Sequence, residues 1–493
     1  MRASGLRVAY VVSGLLVGIC LENEILLAGQ LEDLLLENKQ ITIDQWVQLK
    51  AEEEKREAKA LEESRAVGDV PVRERWYEKI SIRGYVQFRY NYSTNPMLIN
   101  EQGDRSIGRN DEFFLRRARL IVSGQPHERL FFYSQVEFAT VTGTNTQEGS
   151  NPNTGTNTAV GPNNTPSLRD MFADLYLTQN KEWRMRVGQT KIPFGFDNMQ
   201  SSQNRLPFDR SDAINSAAQN ERDIGLFLYY APTRVRELFR RLVDSGLKGS
   251  GDYGMLGIGV YNGQGPNEAE LNESKHVIFH SMFPYEFPNG QIFQVGMDAY
   301  TGQFVVSTTP VVPSNPVPTN GMAVNPIVTN NGNYLDQRVT WHFVLYPQPF
   351  GLQGEYTIGR GPQLNTARTQ VVDGNVRGGY LQAFYNYRCD TWCVSVFPFV
   401  RYQEYFGGKK FEQNAPNNSV RELELGLEYQ INKALELTFE YTWTQRTSAD
   451  GNTVPTFSGG TTCLTPGFTV GCVQTPYQLQ TGNLVRFQLQ WNF

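Results

Sequence analysis

The chain has 493 residues and a formal net charge of -5 at pH 7, and 19% of its residues are charged whereas 12% are aromatic. Glycine and proline supply 45 and 25 positions, which is typical of many strands joined by turns. The mean hydropathy is -0.44, and no apolar run of about 18 residues follows the amino-terminal region, which excludes a bundle of transmembrane helices. A membrane barrel is not excluded, because its strands are apolar on one face only.

Residues 1–29 have the pattern of an export signal. Arg2 and Arg7 precede an apolar run from Val8 to Leu21, and a possible cleavage point near Ala28 follows. We therefore expect an exported chain from which this leader is removed.

Residues 30–78 form an acidic head with helical periodicity. Leu31, Leu34 and Leu35 share one helix face, and Thr42 with Gln45 forms a capping box before a second helix. The head carries 13 acidic and 8 basic residues, so it accounts for the acidity of the whole chain. Two interpretations remain open: a solvated helical hairpin, or a short coiled coil that joins subunits or contacts the cell wall.

From residue 79 onward the apolar period changes from 3.6 to 2 residues. The final segment VRFQLQWNF, at 485–493, alternates strictly between apolar and polar residues. The same rule predicts strands at 79–93, 113–124, 129–140, 168–178, 183–192, 223–231, 253–262, 274–286, 291–306, 336–346, 350–360, 377–388, 391–405, 419–430, 434–447 and 482–493.

The connections between these strands alternate in length. Those after even-numbered strands are mostly tight, as in FPNG, PQPF and INKA, whereas those after odd-numbered strands are longer. RELFRRLVDSGLKGSG, between strands six and seven, is too long for a tight turn and is compatible with a short helix. Short turns on one rim, long loops on the other and an even strand number are typical of a bacterial outer-membrane barrel. The predicted fold is all-β: a 16-stranded antiparallel transmembrane β-barrel over 79–493, with a short amino-terminal helical or coiled-coil segment; a soluble double-sheet protein is the alternative.

Four cysteines remain once the leader is removed. Cys389 lies close to Cys393 in sequence, and Cys463 lies close to Cys472. In an exported chain, two close pairs favour two small disulfides, one across a turn and one in a long loop, with free thiols as the alternative. None of the four histidines lies near these cysteines, which argues against a metal site.

Several segments resemble the phosphate-selective porin O and P family. They are RVGQTKIPFGFDNMQSS at 186–202, FFLRRARLIVSG at 113–124, ERDIGLFLYY at 221–230 and LGIGVYNGQGPN at 256–267. The resemblance implies a sixteen-stranded channel in outer-membrane lipid, usually a homotrimer, with one loop folded inward to narrow the pore. The terminal Phe493 is also similar to the aromatic end that the outer-membrane assembly machinery reads.

The same resemblance implies which residues contact a small anion such as phosphate. Arg116 and Arg117 match an arginine pair of the second strand, and Ser201 and Ser202 match two serines of the loop after the fifth strand. Guanidinium groups suit phosphate because their planar forks donate paired hydrogen bonds. Asn198 stands where phosphate-specific members carry a lysine, and this departure weakens the phosphate interpretation.

Strict alternation directs Arg117 and Arg119 into the lumen but Arg116 outward. Arg116 could then snorkel near the rim, lie in a subunit interface, or be turned inward by a bulge. The early strands as a set carry inward-facing basic residues, whereas strands fourteen and fifteen carry glutamates, and such opposed walls set up a transverse field. The basic set from these strands includes Arg83, Arg89, Arg117, Arg119, Arg184 and Arg186.

The segment 193–222 is the candidate constriction. Lys191 lies at its foot, and Arg205 and Arg222 lie within it. A loop that merely projects into solvent is the alternative, and Lys191 could instead be a structural ion-pair partner.

These patterns predict an outer-membrane porin of a Gram-negative-type bacterium for passive diffusion of small hydrophilic solutes, with a preference for phosphate or other oxyanions. A nonselective diffusion porin is the alternative within the same fold, and a structural anchor for the acidic head is the alternative from another class. No enzyme activity, cofactor or nucleic-acid partner is expected, because the sequence shows no nucleophile elbow, paired catalytic carboxylates or phosphate-binding loop.

Overall fold

The computed structural model describes residues 45–46, 48–50, 52, 55, 76–94, 112–139, 166–217, 222–308, 318–319, 322–323, 332–365, 370–389, 393–412, 414–448 and 478–493. The chain divides into two compact units, Met1–Glu78 and Lys79–Phe493. In the first unit, the described residues between 45 and 55 are helical. The predicted leader at 1–29 and most of the acidic head lie outside the described residues.

The second unit is a closed ring of sixteen antiparallel strands. Each strand pairs with the next along the chain, and the last pairs with the first. The strands are β1 (Ile80–Ser93), β2 (Glu112–His127), β3 (Leu130–Glu137), β4 (Ser167–Tyr176), β5 (Trp183–Lys191), β6 (Arg222–Tyr230), β7 (Leu256–Tyr261), β8 (His276–Glu286), β9 (Ile292–Val305), β10 (Asn333–Leu345), β11 (Phe350–Leu364), β12 (Val371–Tyr385, extended by Tyr387–Arg388), β13 (Ser395–Gly408), β14 (Asn417–Asn432), β15 (Leu435–Ser448) and β16 (Gln478–Asn492). The predicted barrel and all sixteen of its strands are confirmed. Outside the ring, Pro318–Thr319 pairs with Met322–Ala323.

The seam between the first and last strands is tight. The backbone N–H of Gly84 donates to the carbonyl of Phe493 at 2.7 Å, and the reverse bond is 3.0 Å long. A Cβ on Gly84 would overlap with the carbonyl oxygen of Arg119 and lie 2.5 Å from the Phe493 ring. The closed seam therefore leaves no room for a side chain at this position.

Apolar side chains cover the outer face of the ring. On β15, Leu437, Phe439 and Trp443 are exposed, whereas Glu440 and Thr442, which alternate with them, are buried inside. Because all sixteen strands belong to one closed sheet, no second sheet in the described chain covers this apolar face. Hydrocarbon is the environment that such a face requires, and closure satisfies every strand edge within it. The soluble double-sheet interpretation is therefore wrong.

Three α-helices occur in the described parts of the connections: α1 (Phe196–Met199), α2 (Asp212–Asn215) and α3 (Thr233–Asp244). α3 is the helix anticipated between strands six and seven, and its Leu238, Phe239 and Leu242 form one buried face. It starts where the backbone N–H and hydroxyl of Thr233 donate to Glu182. It stops at Gly246, whose φ of 71° ends a helix without strain. No helix in the described part of the chain is long and apolar enough to cross a membrane.

Candidate functional site

The connection after β5 turns into the barrel, and we call residues 192–217 the inward loop. It touches strands around the ring: the Ser202 hydroxyl lies 2.7 Å from that of Tyr85 on β1, and the backbone N–H of Phe208 donates to Glu440 on β15 at 2.9 Å. At its far end, Arg338 on β10 donates to the carbonyl of Ser216. The predicted inward fold is confirmed, and the interpretation of a loop projecting into solvent is wrong.

Two carboxylates of the wall hold the root of the inward loop. The backbone N–H of Gly195 donates to Asp298 on β9 at 2.8 Å, and the backbone N–H of Asp197 donates to Glu355 on β11 at 3.1 Å. Next to Gly195, the Phe194 ring is buried in an apolar cluster inside the barrel. The root is therefore fixed by both hydrogen bonds and apolar packing.

Lys191 and Asn198 donate hydrogen bonds to backbone carbonyls at the root of the inward loop. The ammonium group of Lys191 donates to the carbonyls of Asn198, Met199 and Gln200 at 2.9, 3.1 and 2.8 Å, which uses all three of its donors. The Asn198 amide donates to the carbonyl of Ile192 at 2.8 Å. These contacts favour a structural role for both residues, and the partners of Lys191 are backbone carbonyls and not the carboxylate expected of an ion pair.

A bulge in β2 turns Arg116 into the lumen. In the register with β1, Gln87 lies opposite Arg117 and Phe88 lies opposite Leu115, so Arg116 is the extra residue. Its guanidinium group lies 3.5 Å from the carboxylate of Asp209 in the inward loop. Of the three options for Arg116, the bulge is the one that occurs, and it places two consecutive arginines on the inner face.

A second bulge turns another arginine inward. Gln135 on β3 pairs with Asp170 on β4, and Val136 pairs with Leu168, so Arg169 is skipped in the register. Its side chain is buried and interacts electrostatically with that of Arg119. Strict alternation points Arg169 toward lipid, so the sequence pattern alone gives no sign that this residue faces inward.

These arginines lie together where the inward loop meets the wall of β1–β6. They interact electrostatically with one another and with four carboxylates, those of Glu137, Asp170, Asp197 and Asp209. Among the described residues, eight guanidinium groups face these four carboxylates, which leaves an excess of positive charge in this part of the chain. We call this set the arginine cluster: Arg89, Arg116, Arg117, Arg119, Arg169, Arg205, Arg210 and Arg222.

Several cluster members are neutralised by a close carboxylate. Arg119 lies 2.6 Å from Glu137, and Arg222 lies 2.9 Å from Asp170. Arg205 lies 2.9 Å from Asp197 within the inward loop. The charge of each of these three arginines is therefore compensated locally.

Arg117 differs from those neighbours. It donates to the side-chain oxygen of Gln87 at 2.7 Å, and no carboxylate of the described chain lies within ion-pair distance of it. Its Nε is buried without a hydrogen-bond partner in the described part of the chain. Arg117 therefore carries a positive charge that no described carboxylate compensates at close range.

Asp209 is the carboxylate at the tip of the inward loop. It lies 3.2 Å from Arg89, 2.8 Å from Arg486 and 3.5 Å from Arg116. Burial alone would raise the pKa of the Asp209 carboxyl, but these guanidinium groups hold that pKa well below its usual range. Asp209 therefore remains ionised and acts as an internal counterion for the cluster.

The remaining predicted residues lie at different distances from the cluster. Ser202 joins it, because its hydroxyl accepts from Arg119 at 3.4 Å. The Ser201 hydroxyl instead accepts from the backbone N–H of Gln203. Arg83 is exposed on β1 near the rim with the short turns, outside the cluster. The structure thus brings together Arg89, Arg116, Arg117, Arg119, Ser202, Arg205 and Arg222.

The acidic wall of β14 and β15 is largely neutralised. Glu424 lies 2.6 Å from Arg401, and Glu440 is paired with Arg486. Glu422 is paired with Arg446 at 2.6 Å. The transverse field predicted from opposed walls is therefore weaker than the sequence indicates, because the acidic side carries its own counterions.

Cys389 and Cys393 form a disulfide in the turn after β12, with their Cα atoms 5.2 Å apart. Cys463 and Cys472 lie outside the described residues. Within the described ranges, no group of three or more His, Cys, Asp or Glu side chains is arranged to hold a metal ion.

Comparison with known proteins places the chain in one family. The profile of phosphate-selective porin O and P matches residues 86–462. No curated protein matches the chain at a significant level. Three similar solved structures each align with 84% of this chain. Salmonella typhi OmpF in complex with daunomycin is 12% identical, is covered over 97% of its own chain and has a TM-score of 0.46, and the outer membrane channel DcaP of Acinetobacter baumannii is 12% identical, is covered over 97% and has a TM-score of 0.43. The anion-selective porin from Comamonas acidovorans is 11% identical, is covered over 99% of its own chain and has a TM-score of 0.41. Because the family profile spans most of the closed barrel, the chain belongs to the phosphate-selective porin O and P family and is a channel of the outer membrane of Gram-negative bacteria.

Proposed function

We propose that the protein is a passive porin for small hydrophilic solutes that prefers anions, with phosphate and other oxyanions among them. The observation that carries the proposal is Arg117, a buried guanidinium without a carboxylate partner in the described chain, inside a cluster that has an excess of positive charge. The charge of Arg117 makes the potential along this part of the inner wall favourable for a passing anion. Transport by diffusion through this pore involves no chemical step, and no enzymatic activity is proposed.

The arrangement supports oxyanions in general more than phosphate alone. Adjacent guanidinium forks on Arg116 and Arg117 suit any anion with several oxygens. Asn198, which stands where phosphate-specific relatives carry a lysine, donates to Ile192 and adds no charge to the cluster. We therefore expect phosphate to compete with chloride without excluding other oxyanions.

The second candidate is a nonselective diffusion porin. It is favoured by the ion pairs within the cluster, which neutralise Arg119, Arg205 and Arg222. If Arg117 were also screened by counterions, little selectivity would remain.

Three further parts of the proposal rest on the sequence and the family resemblance alone. These are export by the leader at 1–29, assembly as a homotrimer, and an acidic helical or coiled-coil head at 30–78 that contacts the cell wall. A role of the barrel as a mere anchor for this head is the structural alternative. Deletion of 30–78 separates the two roles, because a porin would still conduct whereas a tether would lose its attachment.

The proposed function is tested by reversal potentials across a planar bilayer. In a gradient of potassium chloride we expect a potential of the sign that chloride permeation produces. Phosphate titrated into both chambers should then reduce the chloride current in a saturable way. A potential near zero would support the nonselective porin, and cation preference without a phosphate effect would remove the anion proposal.

Asp209→Asn is expected to raise the anion-to-cation permeability ratio by about two-fold, because the arginine cluster loses one internal negative charge. In the folded channel the charge of Asp209 is lost only as the pH falls through its folded pKa, which lies well below the ordinary value of about 4. The permeability ratio of Asp209→Asn should therefore exceed that of the wild type by the same factor at every pH from 7 to about 4. The check is the reversal potential of both proteins at each pH, with Asp209→Glu as the charge-preserving control. A difference between the two proteins that already disappears at pH 5 would contradict this expectation.

A further inference from the structure

The connection between β6 and β7, residues 231–255, is much longer than the other turns on the same rim, and we call it the inner bar. Its helix α3 does not extend away from the barrel. The apolar face of α3 packs against Met282, Ile292 and Val344 on the inner face of β8–β10. The same cluster includes Phe196 and Met199 of α1, so the inner bar and the inward loop share one apolar core inside the barrel.

The inner bar reaches the opposite wall of the barrel. The ammonium group of Lys248 donates to Glu428 on β14 at 2.5 Å and lies 4.7 Å from the centre of the Phe397 ring on β13. In a ring of sixteen strands, β14 lies seven strands beyond β7 and is therefore almost opposite to it. The side chain of Gln200 in the inward loop donates to the carbonyl of the same Lys248 at 2.7 Å.

Charged pairs also hold the inner bar at β5 and β8, on the side of the barrel from which it starts. Asp252 accepts two hydrogen bonds from Arg184 on β5, at 2.6 and 3.1 Å, and a third from Arg236 at 3.0 Å. Arg241 lies 2.9 Å from Glu286 at the end of β8. Charged pairs on both sides of the lumen thus hold the segment across the mouth.

This placement divides the mouth of the barrel into two unequal routes. On the side of β8–β13, apolar side chains fill the space between wall, bar and loop, including Leu206 against Phe384 and Phe399. On the other side, the wall of β15, β16 and β1–β5 is polar and carries most of the arginine cluster. Water and small solutes are directed to the polar side, because packed side chains of α3, α1 and β8–β10 occupy the space on the other side.

We propose that the inner bar is a second constriction of the pore, which confines solutes to the polar half of the periplasmic mouth and sets their size limit, with Lys248 as the residue that fixes its end at the wall of β14. The inference rests on the proposed function as a channel but not on anion preference. Short turns face the periplasm in outer-membrane barrels, so this constriction follows the arginine cluster in the inward direction. Charge selection and size selection are then carried out by different segments of the chain.

The test exchanges the charges of the Lys248–Glu428 pair. Lys248→Glu sets two carboxylates against each other and should release the bar, so that single-channel conductance rises by about two-fold and larger uncharged sugars enter proteoliposomes. Glu428→Lys should act in the same direction, and the double exchange should restore the wild-type size limit. Arg240→Glu makes the same change of charge on the exposed face of α3 and should leave the size limit unchanged.

The readouts separate this proposal from the proposed function. Sugar entry measures the size limit, whereas the reversal potential of the wild type measures anion preference. A wild-type protein without anion preference but with a Lys248-dependent size limit would support the inner bar alone. A second variant that replaces 233–250 by a short turn should also enlarge the pore. If the folded single exchanges and this deletion all keep the wild-type size limit, the inner bar is not a constriction.

Discussion

Replacement of Arg117 by glutamine is expected to lower the anion-to-cation permeability ratio by about five-fold, which corresponds to about 1 kcal/mol of interaction with a passing ion. Arg117 should have a larger effect than Arg119, Arg205 or Arg222, because no described carboxylate lies within ion-pair distance of it, whereas each of those three has one. Substitution of Arg119 would instead leave Glu137 without its partner and would combine a structural effect with the electrostatic one. The measurement is the reversal potential in a salt gradient.

Two controls make the Arg117 experiment specific. Arg360→Gln changes the net charge equally, but Arg360 is exposed among the outward-facing residues of β11, so selectivity should not change. Arg117→Lys keeps the charge and removes the planar fork, so anion preference should survive while the phosphate effect on chloride current weakens. If Arg117→Gln and Arg360→Gln had the same effect, net charge and not the site would determine selectivity.

The barrel could be predicted from the sequence because its two signals are local and repeated. A period of two residues marks each strand, and the alternation of short and long connections marks the two rims. The largest error in a strand start is in β12, which begins at Val371 where the sequence suggested residue 377. Gly374 interrupts the apolar alternation ahead of residue 377, and a Cβ there would overlap with the side chain of Gln363 on β11.

The arginine cluster was only partly predictable, because bulges break the two-residue period that assigns side chains to a face of the sheet. Alternation left three options for Arg116 and gave no indication that Arg169 faces inward. A bulge is defined by the register between two strands, and neither strand reveals it alone. The sequence could place residues on strands, but it could not assign each one to a face.

The counterions of the acidic wall were missed for a different reason. Glu424 lies directly opposite Arg401 in the register of β13 with β14, and Glu440 lies directly opposite Arg486 in that of β15 with β16. These are ordinary cross-strand pairs, so aligning neighbouring strands by their turns would have revealed them. The contacts of the inward loop had no such signal, because they join residues far apart in the chain and depend on the closed ring.

Gly195→Val is expected to displace the root of the inward loop, raise the single-channel conductance by about two-fold and reduce anion preference. Gly195 has a φ of 82°, which costs a residue with a side chain about 1–2 kcal/mol. A Cβ there would also overlap with the carboxylate of Glu355 and lie 2.7 Å from Cδ1 of Ile214. Overpacking of this kind costs about 1–3 kcal/mol more. It would displace the Glu355 carboxylate, which accepts the hydrogen bond from the backbone N–H of Asp197 and so holds the loop root in place.

Gly332→Val separates the two costs, because Gly332 has a φ of 90° but a Cβ there would meet no described atom within 4 Å. Both variants bear the backbone strain, and only Gly195→Val pushes against the wall of the barrel. If both proteins fold, as judged by the heat-dependent mobility of the barrel in gels, a conductance change confined to Gly195→Val assigns the narrowing of the pore to the docked loop. Equal conductance in both variants and the wild type would mean that the loop root can shift without opening the pore, and the arginine cluster would then have to act without a fixed loop beside it.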